Sequence, residues 1–114
     1  MALTITPVTG ALGAVIDGVD LGDPGLDFAP IYQAFLDHEI IFFREVNLSE
    51  AEQLELGRRF GTPSIYPVAR IMGATQPTMT VLSDGPDSPN AADTWHTDVT
   101  WIAEPPKAAL LHME

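Results

Sequence analysis

The apolar runs of this chain are short, and their length limits what the chain can fold into. Ile40–Phe43 and Ala108–Leu111 are strand-sized, whereas a helix that crosses a membrane needs roughly 18 apolar residues. Turn-forming Gly, Pro, Asp and Asn residues separate such runs along the chain. The segments whose patterns predict strands are Leu3–Thr6, Ala14–Leu21, Ile40–Phe43, Thr78–Leu82, Trp95–Ile102 and Ala108–Met113.

Two segments carry helical signals. The first has one apolar stripe at helical spacing, with Asp27 available as a cap. Its members are Phe28, Ile31, Tyr32, Phe35 and Leu36. The second begins at a Ser49–Glu52 capping box and ends near Phe60, before Gly61. Short strands mixed with two helices predict an α+β fold, or a β core decorated by helices.

Composition excludes several classes of protein. With 114 residues the chain forms at most one domain, and 46% hydrophobic residues are enough for a core. Five Lys and Arg residues against 16 Asp and Glu residues give a net charge of −11, so a basic surface for nucleic acid or anionic lipid is absent. No cysteine is present, which excludes thiolate metal sites and cysteine nucleophiles. The start of the chain lacks signal-peptide features, and we expect a cytoplasmic protein.

His96 and Asp98 are the strongest candidates for chemistry. On a strand, residues i and i+2 point to the same face, so an imidazole and a carboxylate would face one point. One further histidine would complete the 2-His-1-carboxylate site of non-heme Fe(II) oxygenases. A His-x-Asp motif by itself is weak evidence for a metal site. The alternative is a His–Asp ion pair on the surface of a strand. His38 lies at the predicted end of the first helix, where a cation interacts well with the helix dipole.

The sequence around this pair resembles a known family. Trp95-His96-Thr97-Asp98-Val99-Thr100-Trp101 looks like the iron-binding strand of the taurine dioxygenase (TauD/TfdA) family. Other segments resemble the family in the same order along the chain. They are Gly13–Leu21 (N-terminal hairpin), His38–Arg44 (helix-to-strand step), Phe60–Pro63 (turn after the helix) and Glu104–Ala108 (after the iron strand). The resemblance therefore covers residues 1–114, which would be the N-terminal part of one such domain.

The resemblance implies a fold, an activity and two ligands. The family fold is a double-stranded β-helix, or jelly roll, with flanking helices, which would be incomplete in this chain. Members use Fe(II), 2-oxoglutarate and O₂ to hydroxylate a small organic substrate. The positions of His96 and Asp98 match the family's iron ligands. The second iron histidine, and the arginine and threonine that hold 2-oxoglutarate, would lie beyond residue 114.

His112 is a candidate for the third ligand by residue type alone. It follows Asp98 by 14 positions, on what reads as the next strand. The family's ligand histidine lies much later, so we assign His112 to the core or to a pocket wall. The segment that ends at Glu114 reads as a strand still in progress, which agrees with an incomplete domain.

The substrate positions depart from those of taurine-cleaving members. Tyr66 and Ala69 stand where those members have a histidine and a tyrosine that contact substrate, and Ala92 replaces an asparagine. Loss of polar groups that hydrogen-bond the substrate lowers an enzyme's discrimination between substrates. An alkylsulfonate, a sulfate ester or an unrelated carboxylate could therefore be the substrate, with Tyr66 as a polar contact and Val99 as an apolar wall.

Two other readings stay open. The chain could be a non-catalytic jelly-roll fragment or interaction module, because two ligands do not make a complete iron site. It could also carry a two-ligand metal site that is completed at a subunit interface, in a hydrolase for example. For the dioxygenase we expect a small-molecule substrate, no nucleic-acid or membrane partner, and assembly into a homo-oligomer.

Overall fold

A computed structural model describes residues 2–77, 81–83, 85–87 and 94–114. The chain divides into two units, Met1–Gly61 and Thr62–Glu114. The elements of the described residues are β1 (Thr4–Pro7), β2 (Ala14–Asp17), α1 (Ala29–His38), β3 (Ile41–Phe42), α2 (Glu50–Phe60) and α3 (Pro67–Ile71). All but α3 belong to the first unit, which is therefore a small mixed α/β structure.

The first unit is built around a three-stranded sheet in the order β1-β2-β3. β1 and β2 form an antiparallel hairpin in which Ile5 pairs with Ile16. β2 then runs parallel to β3, with Ala14 opposite Ile41. α1 makes the crossover between these parallel strands, as a parallel connection requires.

Gly18 follows β2 at a point where two stretches of backbone nearly touch. Its φ is +79°, and a Cβ atom at this position would lie 2.2 Å from the carbonyl oxygen of Ala2. A glycine within a strand-like segment predicts a bulge or a close backbone approach. The structure confirms the close approach.

The buried centre of this unit lies between α1 and β2. Ile16, Ile31 and Ala34 form it, and each is almost completely inaccessible to solvent. Partly buried apolar side chains surround the three. They are Leu3, Val19, Leu21, Leu26, Phe28, Ile41 and Phe43.

The Phe60 ring at the end of α2 contacts three aromatic rings on and before α1. It meets Phe28 edge-on at 4.9 Å between centroids and Phe35 at 5.5 Å, with Tyr32 at 6.3 Å. Edge-to-face pairs of this kind are favourable. They fix the C-terminal end of α2 against α1.

α2 starts as the sequence predicts, whereas the N-cap residue of α1 is Phe28 and not the predicted Asp27. Part of the predicted apolar face of α1 is exposed. Ser49 and Glu52 form the complete capping box of α2, and Asp27 accepts a hydrogen bond from the N–H of Ala29 at the start of α1. Leu36, a member of the predicted stripe of α1, is 53% exposed. α1 thus buries Ile31 and Ala34, and the stripe is narrower than predicted.

The predicted buried strand Ile40–Phe43 is also only partly correct. β3 is limited to Ile41–Phe42, and the side chain of Phe42 is 45% exposed. β3 lies at the edge of the described sheet and pairs with β2 alone. An edge strand has no neighbouring strand on its outer side, so the Phe42 side chain is less well covered there.

In the second unit, two predicted strands are absent from the described residues. Neither 95–102 nor 108–113 is a strand there, and α3 was not predicted. A strand exists only through backbone hydrogen bonds to a neighbour, and the described chain pairs no neighbour with either segment. The predicted strand Thr78–Leu82 and the Ser83–Asn90 loop lie partly outside the described residues.

The expected jelly roll is therefore not complete in this chain, whose described sheet has three strands. None of the described helices has both the length and the apolar character that crossing a lipid bilayer requires.

Candidate functional site

The segment that carries His96 and Asp98 belongs to the second unit and changes direction within a few residues. The chain bends at Asp98 and Val99 and turns at Thr100 and Trp101. The prediction that alternation along a strand aligns His96 with Asp98 is therefore wrong. The side chains of His96 and Asp98 nevertheless face each other.

The imidazole of His96 is oriented by the main chain. Its Nδ1 lies 2.7 Å from the carbonyl oxygen of Thr94. A carbonyl oxygen can only accept a hydrogen bond, so Nδ1 carries a proton and donates it. In the neutral ring Nε2 is then left with its lone pair, the state in which a histidine binds a metal.

The carboxylate of Asp98 stands opposite that nitrogen. The distance from His96 Nε2 to Asp98 Oδ1 is 3.5 Å, and about half of the imidazole and most of the carboxylate are open to solvent. A nitrogen lone pair and a carboxylate oxygen repel each other unless a proton or a metal cation lies between them. Two atoms bound to one metal at about 2.1 Å are at most about 4.2 Å apart, so the pair fits a shared cation.

Val99 has a backbone conformation that is rare for its residue type. Its φ is +54°, in the left-handed region that a β-branched side chain strongly disfavours. Such a conformation costs about 1–3 kcal/mol and is typical of functional sites. The hydroxyls of Thr97 and Thr100, which flank Asp98 and Val99, are hydrogen-bonded to each other at 2.7 Å.

The other predicted site residues are not brought to this pair. Tyr66 is the residue before α3 and is half exposed. Within the described residues no hydrogen bond joins its hydroxyl to His96 or Asp98. His112 is half-buried, and among the described residues no group of three His, Cys, Asp or Glu side chains could hold a metal ion. Ala92 lies outside the described residues.

The first unit contains a cavity that sequence reasoning missed. It has a volume of about 190 Å³ and is lined by residues 19–22 and 45–48 together with Glu52. Two carboxylates at its wall are already engaged. Asp20 accepts a hydrogen bond from the N–H of Gly22, and Glu52 accepts one from the N–H of Ser49. No motif in the sequence marks this cavity in advance, and none of the predicted site residues lines it.

Comparison with protein families and with curated proteins gives a consistent result. Residues 4–114 match the model of the family described as "Taurine catabolism dioxygenase TauD, TfdA family". The chain is 35% identical to an alpha-ketoglutarate-dependent sulfate ester dioxygenase of Pseudomonas putida, over 97% of this chain and 37% of that protein. It is 32% identical to an alkylsulfatase of Acinetobacter baylyi, over 96% of this chain and 34% of that protein. The chain thus spans about a third of the length of these relatives and matches their N-terminal portion.

A solved structure is similar as well. It is a putative alpha-ketoglutarate-dependent taurine dioxygenase from Burkholderia xenovorans, with a TM-score of 0.53 and 32% identity. The match covers 59% of this chain and 25% of that one.

Proposed function

We propose, from the premise that this chain belongs to the TauD/TfdA family, that the protein is an Fe(II)- and 2-oxoglutarate-dependent dioxygenase. Curated relatives that the chain matches along nearly its whole length bear dioxygenase and alkylsulfatase names. In this proposal residues 1–114 are the N-terminal part of a single jelly-roll domain. The three-stranded sheet of the first unit would lie at one edge of that domain.

The observation that carries the proposal is the donor pair His96 and Asp98. Nε2 of His96 and Oδ1 of Asp98 lie 3.5 Å apart and are both accessible. A neutral imidazole and a carboxylate are two of the three protein ligands in the 2-His-1-carboxylate site of non-heme iron oxygenases. His96 and Asp98 would hold the iron, and the third ligand would come from the rest of the domain.

Iron and 2-oxoglutarate would supply the oxygen chemistry: O₂ and 2-oxoglutarate give succinate and CO₂ while a substrate C–H becomes C–OH. The residues of this chain bind and orient. The Thr94 carbonyl holds the ring of His96 so that Nε2 faces the metal position. The Asp98 carboxylate supplies negative charge there, since its metal-binding form is ionised.

The substrate is proposed to be a sulfate ester or an alkylsulfonate. Two relatives carry sulfate-ester or alkylsulfatase names, and Tyr66, Ala69 and Ala92 replace the polar pattern of taurine-cleaving members. Hydroxylation of the carbon that bears a sulfate ester gives a hemiacetal-type product. This product collapses to an aldehyde and inorganic sulfate. Tyr66 would contact the substrate as a polar group and Val99 as an apolar wall. Homo-oligomeric assembly and a cytoplasmic location remain predictions.

The test is anaerobic titration of the full-length protein with Fe(II) and 2-oxoglutarate. We expect the weak visible charge-transfer band of iron-bound 2-oxoglutarate. His96→Ala and Asp98→Ala should abolish it, while His38→Ala, a matched histidine at the end of α1, should retain it. An unchanged band in His96→Ala would contradict the proposal, as would the absence of any band in the unmodified protein.

A second candidate is that the 114-residue chain acts alone as a non-catalytic module. It is favoured by one observation: within the described residues, no third ligand joins His96 and Asp98. We expect the purified 114-residue chain to form no succinate from 2-oxoglutarate, and succinate formation would refute this expectation. Metal analysis with and without 2-oxoglutarate separates the dioxygenase from a two-ligand hydrolase site that is completed at a subunit interface.

A further inference from the structure

The Asp98 carboxylate has little besides its own backbone to hold it in place. It is 71% exposed, and His96 is its only polar partner in the described part of the chain. A side chain without other anchors takes its direction from the local φ and ψ angles. The backbone torsions of residues 97 and 98, together with the rotamer of Asp98, decide whether Oδ1 faces Nε2 of His96. A turn closed between residues 97 and 100 restrains those torsions.

The chain reverses at Val99 through a positive φ of 54°. A valine does not adopt this conformation by intrinsic preference. Such strain persists only where surrounding structure over-determines it. Something must therefore hold the turn closed against the preference of Val99.

The hydroxyls of Thr97 and Thr100 supply such a constraint. Their oxygens are 2.7 Å apart, and the bond joins the residue before Asp98 to the residue after Val99. It closes a short loop that contains only these two residues. Either hydroxyl can donate, so the bond needs both side chains but no particular direction.

We propose that the Thr97–Thr100 bond and the reversed backbone of Val99 together form a positioning device that holds the Asp98 carboxylate against the Nε2 face of His96. Thr97 and Thr100 are positioning residues, which act through Asp98 without binding the metal themselves. The inference rests on the proposed function, since it concerns the affinity of the same metal position. It deepens that function by naming two residues, Thr97 and Thr100, whose role is to position one ligand.

The experiment measures Fe(II) binding to the full-length protein by anaerobic equilibrium dialysis, without 2-oxoglutarate or substrate. Thr97→Val and Thr100→Val keep side-chain size and remove one hydroxyl each. Each should raise the Fe(II) dissociation constant about 2- to 10-fold, the range expected for loss of one hydrogen bond. The double variant should be no weaker than either single variant, because one bond is lost in all three.

Conservative and matched variants separate positioning from general damage. Thr100→Ser keeps the hydroxyl and should bind Fe(II) within about twofold of the unmodified protein. Thr6→Val, the same substitution on β1, should change nothing. Circular dichroism would verify that each variant is folded.

Two results would overturn the inference: unchanged affinity in both valine variants, or additive losses in the double variant. His96→Ala distinguishes these from failure of the proposed function. If His96→Ala binds Fe(II) as tightly as the unmodified protein, the metal position itself is wrong. If His96→Ala fails to bind while the threonine variants bind normally, only the positioning device is wrong.

Discussion

The guanidinium of Arg59 donates a hydrogen bond of 2.8 Å to the main-chain carbonyl oxygen of Leu26, 33 residues earlier in the chain. A second nitrogen reaches the carbonyl of Pro24 at 3.2 Å, and the guanidinium carbon lies 5.9 Å from the centre of the Phe28 ring. Arg59 thus joins the end of α2 to the segment that leads into α1.

We expect Arg59→Gln to lower the free energy of unfolding by about 1–3 kcal/mol, because it leaves the partly buried carbonyl group of Leu26 without its donor. Arg58→Gln is the matched control at the adjacent position. Arg58 forms an ion pair with Glu55 on an exposed face, and its loss should cost less than about 1 kcal/mol. Urea unfolding followed by far-UV circular dichroism measures both. Equal losses in the two variants would show that Arg59 has no special structural role.

The two sides of α1 should respond very differently to truncation. Ile31 is fully buried against Ile16 and Ala34, so Ile31→Ala should cost about 2–5 kcal/mol through lost burial and a cavity. Leu36 belongs to the same predicted stripe but is half exposed, and Leu36→Ala should cost less than about 1 kcal/mol. The same unfolding measurement distinguishes them. A large loss at Leu36 would mean that this side chain is buried in the protein as it exists in solution.

Alanine should have opposite effects at two glycines. Gly18→Ala places a Cβ atom 2.2 Å from the Ala2 carbonyl oxygen and requires a positive φ, so it should cost about 2 kcal/mol or more. Gly57 lies within α2, and no atom lies within 4 Å of an added Cβ. Gly57→Ala should therefore stabilise the protein by up to about 1 kcal/mol through helix propensity. Thermal unfolding of both variants tests this prediction. A change of the unfolding temperature in the same direction in both variants would contradict it.

The capping box of α2 predicts a pH dependence. Hydrogen bonds from the main-chain N–H of Ser49, and then from its side chain, hold the pKa of Glu52 below its ordinary value of 4.5. Since the folded-state pKa is the lower one, the stabilisation is complete above pH 4.5. It is lost as the pH falls through the folded-state value.

This loss can be measured locally by the hydrogen-exchange protection of the Ser49 and Glu52 amides between about pH 3 and pH 6, an interval that includes the ordinary glutamate pKa of 4.5. Protection in the unmodified protein should fall at the acid end. Glu52→Gln, which keeps a capping acceptor but cannot ionise, should remove that dependence. Glu50→Gln, in the same helical turn, should retain it. If Glu52→Gln follows the unmodified protein at every pH, the Glu52 carboxylate is not the group responsible.

The features that were predicted correctly depend on neighbours a few residues away. The Ser49–Glu52 capping box and the start of α2 follow from local hydrogen bonds. The family resemblance of the segment around His96 and Asp98 is likewise contained in consecutive residues, and the family match over residues 4–114 confirms it.

The sequence by itself determined where α2 begins and which family the chain belongs to, and it singled out His96 and Asp98 as candidate ligands. Only the tertiary structure decided that α1 buries Ile31 and exposes Leu36, that Arg59 reaches back to Leu26, and that the segment of His96 and Asp98 is not a strand. The physical reason is that these outcomes depend on contacts between residues far apart in the chain, which local sequence patterns do not specify. A helix period marks an apolar face but not its partner, and a β-type segment becomes a strand only if another strand pairs with it.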